Sequence, residues 1–466
     1  MIDRIFFEPR SRGSLRFAAL FCSAIFLLFM AVRQAAAQAV PAATWPVGDT
    51  SPEDQPLAGQ QLGTSLTLNQ GVGAITAENE AFDRYGLALQ AEGGGQTNFF
   101  GTQTGQVTAA YINLSADGGV IFRTNRSRFY ALYQPQYNIY PQFSDVNNFH
   151  QSVFVNADHI FTEHLGIAWN LTAARYLSLN QFLPQTLGIG GIGVVVPTLQ
   201  SVLLQNSSEN TNAATNVSFR YLKSARTTFT GTLTGSYFLL VPSHSGKVPG
   251  DSERYLAGGA DLRMEYQWTL RDMVGAALTP IYIAGLTPAG HTSGETLQAT
   301  YQRQLTGTTT IQGAAGPLFI QSTSHLYGST DDISYAVNAS ISHQARQSQF
   351  SLAYTRAFVV SFLTPSMTAQ QASLNAYVPL PHRLLFTSAA SFTYDTGTEN
   401  FSGKLYGGSG QISYLLGSKA QIYAIYSGMS QDFSGNLPLS YNFTQNRFGA
   451  GIRFNLGNPI TRGGAQ

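Results

Sequence analysis

Sulfur and charge are both scarce in this chain. Its single cysteine is Cys22, and Asp, Glu, Lys and Arg together make up only 11% of its 466 residues. A lone cysteine inside an N-terminal apolar run excludes disulfides, thiol catalysis and cysteine-based metal sites from everything after it. With 26 basic against 25 acidic residues the formal net charge is +1, so no polyelectrolyte signal for nucleic acid or an acidic partner exists. Long apolar runs are missing after Val32. Phe358–Leu363 is among the most apolar later stretches, and it is far short of the roughly 20 residues that a membrane-spanning helix needs.

What is present is unusual. Aromatic residues reach 12%, with 23 Tyr and 30 Phe, and there are 46 Gly. Mean hydropathy is close to zero. Soluble proteins carry about twice this charge, and helical membrane proteins are much more apolar. A transmembrane β-barrel falls between the two, because only alternate residues meet lipid.

The first 37 residues read as an export signal. Arg10, Arg12 and Arg16 precede an apolar run from Phe17 to Val32, and Ala35-Ala36-Ala37-Gln38-Ala39 supplies a small-residue cleavage site. Residues 38–83 are rich in Pro, Gln, Gly and Thr without periodicity, as in "PAATWPVGDTSPEDQPLAGQQ". They are expected to form a largely disordered periplasmic linker.

From Arg84 to Leu456 the pattern has a period of two. Phe229, Gly231, Leu233, Gly235, Tyr237 and Leu239 alternate with Thr228, Thr230, Thr232, Thr234 and Ser236. Ile333, Tyr335, Val337, Ala339 and Ile341 alternate with Ser334, Asn338, Ser340 and Ser342. Such segments are strands with two unlike faces. About 18 are expected, within a range of 16–20. The connections alternate as well. Eight tight polar ones stand at "RTNRS", "TEH", "LKSAR", "TLRD", "LTGTT", "QARQS", "PHR" and "LGSK", and longer ones such as "VPSHSGKVPGDS" and "GLTPAGHTSG" lie between them. This predicts an antiparallel up-and-down transmembrane barrel over 84–456 with a tail at 457–466. An even strand count returns both ends to the periplasm.

Candidate chemistry is sparse. "GIGGIG" at Gly188–Gly193 matches a dinucleotide-binding pattern, but that motif needs a helix to follow, and "VVVP" follows instead. A flexible apolar loop explains it. His159, Glu163 and His164 fall beside a turn at a spacing that fits no zinc motif. No serine-hydrolase spacing emerges, so neither an enzyme nor a cofactor or metal is expected. By parity Arg220, Asp261, Arg263, Glu265, Arg447 and Arg453 face the lumen. Asp261, Arg263 and Glu265 share one face of one strand. They form either a field that orients polar solutes or a compensated network that stiffens the wall. A lumen of hydroxyls, amides and Tyr suits neutral, saccharide-like solutes.

The run "GVIFRTNRSRFYALYQPQYNIYPQF…HQSVFVNADHIFTEHLGIAWNLTAARY" carries a resemblance to bacterial outer-membrane β-barrels. More loosely, it is similar to porin-type families found near exopolysaccharide genes. The resemblance implies passage of small polar solutes. Alternatives are secretion of a polysaccharide chain, and a barrel that binds partners without transport. It also implies contact with outer-membrane lipid and admits a homotrimer. In porins the third outer loop narrows the pore. Here the third long connection is Asn180–Asn212, with Gly190, Gly191, Leu203 and Leu204 as constriction candidates. The last strand, "NRFGAGIRFNLGN", looks like the C-terminal signal read by the barrel assembly machinery, with Gly449, Ile452 and Phe454 at the matching positions. It departs from that signal in having about ten residues after it.

Overall fold

A computed structural model describes residues 85–98, 107–124, 126–144, 147–178, 185–187, 194–196, 208–242, 253–287, 289–324, 328–345, 348–359, 367–397, 402–417, 419–434 and 442–456. The expected signal segment, linker and C-terminal tail lie outside the described residues. The strands in chain order are β1 Tyr85–Gln96, β2 Ala109–Arg123, β3 Ser127–Ile139, β4 Asn148–Thr162 and β5 Leu165–Ser178. A short hairpin follows, β6 Gln185–Leu187 with β7 Val194–Val196. Then come β8 Ser208–Leu222, β9 Thr227–Pro242, β10 Glu253–Gln267, β11 Asp272–Thr287, β12 Ala289–Thr306, β13 Thr309–Ser324 and β14 Gly328–Ala345. The last six are β15 Ser348–Val359, β16 Met367–Leu380, β17 Leu384–Gly397, β18 Ser402–Leu415, β19 Ala420–Ser434 and β20 Phe443–Asn455.

All but β6 and β7 form one 18-stranded antiparallel sheet. Each strand pairs with its neighbours in sequence, with β5 joining β8 directly. The sheet closes because β1 pairs antiparallel with β20, from Ala88↔Asn455 to Gln96↔Arg447. The closing seam also carries the hydrogen bonds Leu456 N–H to Leu87 O and Thr97 N–H to Asn446 O. Closure leaves no strand edge. In hydrocarbon each unpaired backbone group costs several kcal/mol, so only a closed sheet spans a bilayer.

The alternation in sequence becomes two faces. Leu87, Leu89, Ile112, Leu114, Leu233, Leu297, Ile333, Leu352, Ile412 and Ile422 are exposed on the outer face. On the last strand Phe448, Phe454 and Leu456 are exposed while Arg453 is buried inside. Aromatic side chains band the outside near one rim, where Phe122 and Phe129 lie 6.1 Å apart beside the β2–β3 turn. All eight tight connections expected from sequence lie at this rim, together with the start of β1 and the end of β20.

Two expectations are corrected here. "GLTPAGHTSG" is not a long loop: β11 runs to Thr287 and β12 starts at Ala289, with Leu286 paired to Ala289 and Gly285 to Gly290. The strands extend and take up the residues that looked like a connection. The inner wall is also less uniformly polar than alternation implied. Ala257, Ile281, Ile283, Leu318, Ile320 and Ala336 form a buried apolar cluster on its β10–β14 side, because "ALTPIYIAG" and "GPLFI" are apolar on both faces. A smaller cluster of Ile121 and Leu132, with Tyr130 and Phe154 against it, lies on β2–β4.

Candidate functional site: the charged inner wall

The inner wall holds the chemistry. Asp261, Arg263 and Glu265 project inward from β10, where they pair with Thr232, Thr230 and Thr228 of the Thr-rich β9 row. Arg220 of β8 pairs with the same Thr230 from the other side. The Arg263 guanidinium donates to both Asp261 oxygens, Nε at 3.1 and 3.2 Å and Nη2 at 3.0 Å. This fork-on-carboxylate geometry neutralises both charges locally. On the inner face of β10, Asp261 and Arg263 are thus paired with each other.

Parity also placed Arg453 and Arg447 inside, and both are there. Neither is a free cation. Arg453 Nη2 lies 3.0 Å from Asp117 Oδ2 of β2. Gln134 of β3 donates to the other Asp117 oxygen at 3.1 Å. Arg447 Nη2 lies 2.8 Å from Glu92 Oε1 of β1, and its guanidinium stacks 4.1 Å over the Tyr111 ring.

Glu92 is the centre that sequence reasoning missed. Tyr111 of β2 donates to its Oε1 at 2.7 Å and Tyr423 of β19 to its Oε2 at 2.9 Å. Gln90 donates to the Tyr423 hydroxyl at 2.8 Å. One carboxylate thus ties β19, β20, β1 and β2 together across the seam. The signal was available: Gln90, Glu92 and Gln96 share the inward row of β1, and Tyr111, Asn113 and Asp117 share that of β2. What parity does not reveal is which side chains reach across two strands.

The last strand's glycines make room for this cluster. A Cβ on Gly449 would strike the Tyr111 hydroxyl, and one on Gly451 would strike the Tyr423 hydroxyl and the Ala91 carbonyl. Gly449 belongs to the inward row, whereas Ile452 and Phe454 belong to the outward and inter-strand side of the same strand.

Amides continue the polar lining. Asn156 donates to Asn170, and Asn170 donates to Asn216 at 2.9 Å, across β4, β5 and β8. Nearby, Arg128 Nε lies 2.9 Å from Asp158. Ser218 and Thr232 share a hydroxyl contact at 3.0 Å.

The third long connection runs between β5 and β8, and its end is corrected from Asn212 to Ser208, where β8 begins. Gly190, Gly191, Leu203 and Leu204 lie outside the described residues. Its hairpin is described as backbone: β6 and β7 pair from Gln185↔Val196 to Leu187↔Val194. A strand, not a helix, follows "GIGGIG", which removes the dinucleotide reading. The backbone of β7 packs against β15, seven strands around the barrel from β8.

His159 faces outward at the short-turn rim, with Nδ1 2.7 Å from the Ser127 hydroxyl and its ring edge-on to Phe161. Among the described residues no group of three His, Cys, Asp or Glu side chains is arranged to hold a metal.

No protein-family model matches this chain, and no curated protein is similar enough to match it. Solved structures show distant likeness. The FrpB iron transporter from Neisseria meningitidis (F5-1 variant, apoprotein form) is 8% identical, with TM-score 0.44, over 81% of this chain and 82% of that one. OccK2 (OpdF) from Pseudomonas aeruginosa is 14% identical, with TM-score 0.42, over 80% of this chain and 98% of that one. The ferric citrate transporter FecA, in its unliganded form, is 10% identical, with TM-score 0.40, over 75% and 60%. The fold assignment rests on the closed strand order itself.

Proposed function

We propose that this protein is a bacterial outer-membrane channel for small polar, neutral or saccharide-like solutes. The short-turn rim, where β1 begins and β20 ends, is the periplasmic one in this reading. The other rim faces outward. Barrels of 16–18 strands are wide enough to hold a water-filled channel.

The observation that carries the proposal is the state of the inner-wall charges. Asp261 is neutralised by Arg263, Asp117 by Arg453 and Glu92 by Arg447. Hydroxyl and amide rows on β4, β5, β8 and β9 add neutral donors and acceptors beside these pairs. Such a lining offers donors and acceptors to a polar solute without a net field that sorts ions by sign. The β7 backbone against β15 supports a connection that narrows the passage, and so small solutes over a polymer.

Purified protein in planar bilayers tests this. Discrete conductance steps with cation and anion permeabilities within about a factor of three of each other are expected. Liposomes carrying the protein should swell in neutral sugars. A silent bilayer would remove the channel and leave a non-transporting barrel. Replacing Gln185–Val196 with a short Gly-Ser link should raise the unit conductance. An unchanged conductance would remove the constriction.

A further inference from the structure

The outer face of β15 carries one side chain that the pore does not explain. Arg356 lies on the outward row with Phe350, Leu352 and Tyr354, of which Leu352 is 50% exposed. Its guanidinium stacks 4.0 Å over the ring of Tyr335 on β14, itself outward and exposed. Among the described residues it makes no hydrogen bond or ion pair, and its Nε is buried without a partner. The outward rows of β15 and β16 contain no carboxylate. On β14, Asp331 is six residues beyond Val337, the register partner of Arg356, or about 20 Å along the strand.

Its depth is informative. Counted from Ser348 at the short-turn rim, Arg356 is the ninth residue of β15. A transmembrane strand uses about 9–11 residues, so Arg356 stands at the far edge of the apolar belt. Glu295, counted the same way from Thr306, is twelfth on β12 and stands beyond it. Around Arg356 the neighbours turn polar: its register partner on β16 is Gln370, which accepts a hydrogen bond from Tyr354 at 3.2 Å. Arg, Gln and Tyr also meet across three strands on β3–β5. There Arg175, eleventh from Leu165, pairs with Gln151, which accepts from Tyr133 at 3.3 Å.

We propose that Arg356, held by the Tyr335 ring and flanked by Gln370 and Tyr354, is a binding site for the anionic, phosphate-bearing headgroup of an outer-leaflet lipid. A cation at the edge of hydrocarbon without a carboxylate needs an anion from its surroundings. At this depth the surroundings are lipid headgroups, and guanidinium matches phosphate with two parallel donors. Stacking on Tyr335 fixes the plane of the guanidinium. The inference rests on the outer-membrane reading, which sets which leaflet this rim meets.

Native mass spectrometry of the full-length protein tests it, with phosphatidylglycerol and phosphatidylcholine of identical chains as probes. The parent should retain phosphatidylglycerol adducts preferentially. R356Q should lose about tenfold of that preference, the scale of one charge-assisted contact. R356K, which keeps charge without the fork, should fall between them, and K419Q, which removes one cation at the other rim, should leave it unchanged. Equal retention of both lipids by the parent, or an unchanged preference in R356Q or R356K, overturns the proposal. So does a parent oligomer that R356Q dissociates, which would assign Arg356 to a contact with a second copy. Bilayer conductance on the same samples separates the two readings. Open channels without headgroup discrimination remove this site alone, and discrimination in a silent barrel removes the channel alone.

Discussion

Arg453 on β20 and Asp117 on β2 meet at 3.0 Å although β1 lies between them in the sheet. The ion pair crosses over the closing strand from inside. Glu92 does the same from the middle of the seam, reaching Arg447, Tyr111 and Tyr423. The backbone ladder alone would close the barrel; the side chains specify which register it closes in. A one-residue slip of β20 would move Arg447 and Arg453 to the outer face.

The Glu92 cluster is expected to be cooperative. Glu92 is 5% exposed, and removing one member leaves a buried charge without its counter-charge. E92Q and R447M should each destabilise the barrel by about 3 kcal/mol. The double variant should cost less than the sum, because the second change removes the orphan left by the first. Urea-dependent loss of the fast-migrating folded band on unheated gels measures all three. Strict additivity would show that the pair is not coupled.

Gly449 and Gly451 should respond differently to the same substitution. In G449A the new Cβ meets the ends of two side chains, the Tyr111 hydroxyl and Glu92 Oε1 at 3.0 Å. In G451A it also meets the Ala91 carbonyl at 2.5 Å, which is backbone. Both should lower stability by about 1–3 kcal/mol through overpacking. Y111F should recover part of the loss in G449A, while Y423F should recover none in G451A. Rescue of both, or of neither, would mean that the glycines serve something other than this packing.

How much of this was legible follows from what a two-residue period encodes. It assigns a face to every strand residue, so parity alone puts Asp261, Arg263, Glu265, Arg220 and Arg453 on the inward row. It also yields the strand count, because tight polar turns punctuate it. It does not encode register between strands distant in sequence, and so the meeting of Glu92 with Tyr423 and Arg447 stayed hidden. It fails where both faces are apolar: Ile281 and Leu318 sit inside on strands whose outer rows are equally greasy. Nor does it show where "GLTPAGHTSG" stops being strand.

The β16–β17 turn contains avoidable strain. His382 and Arg383 both have positive φ, 61° and 63°. Two consecutive left-handed residues are the pattern of a type I′ hairpin turn, where Asn-Gly is favoured. The Leu384 N–H reaches the Pro381 carbonyl at only 3.4 Å. The double substitution H382N/R383G should stabilise the barrel by about 1 kcal/mol. It should raise the temperature at which the folded band disappears on gels and leave conductance unchanged. A lower temperature would mean that the Arg383 or His382 side chain has a role at this rim.

Ion selectivity should change sign with the Asp261–Arg263 pair. Asp261 is 5% exposed, and both its oxygens are taken by Arg263. D261N leaves Arg263 and Arg220 facing the lumen against Glu265 alone, so the wall gains net positive charge. The reversal potential in a salt gradient should then shift toward anion preference. R263Q leaves Asp261 and Glu265 against Arg220 alone and should shift it toward cations. The displacements should be of opposite sign and should shrink at high salt, since the field of a lumenal charge is screened within about 10 Å at 0.1 M. R356Q, which removes a charge from the outer face, is the control and should leave the reversal potential where it was. If D261N and R263Q shift it in the same direction, the charges do not face the conducting path and the inward assignment of the β10 row fails.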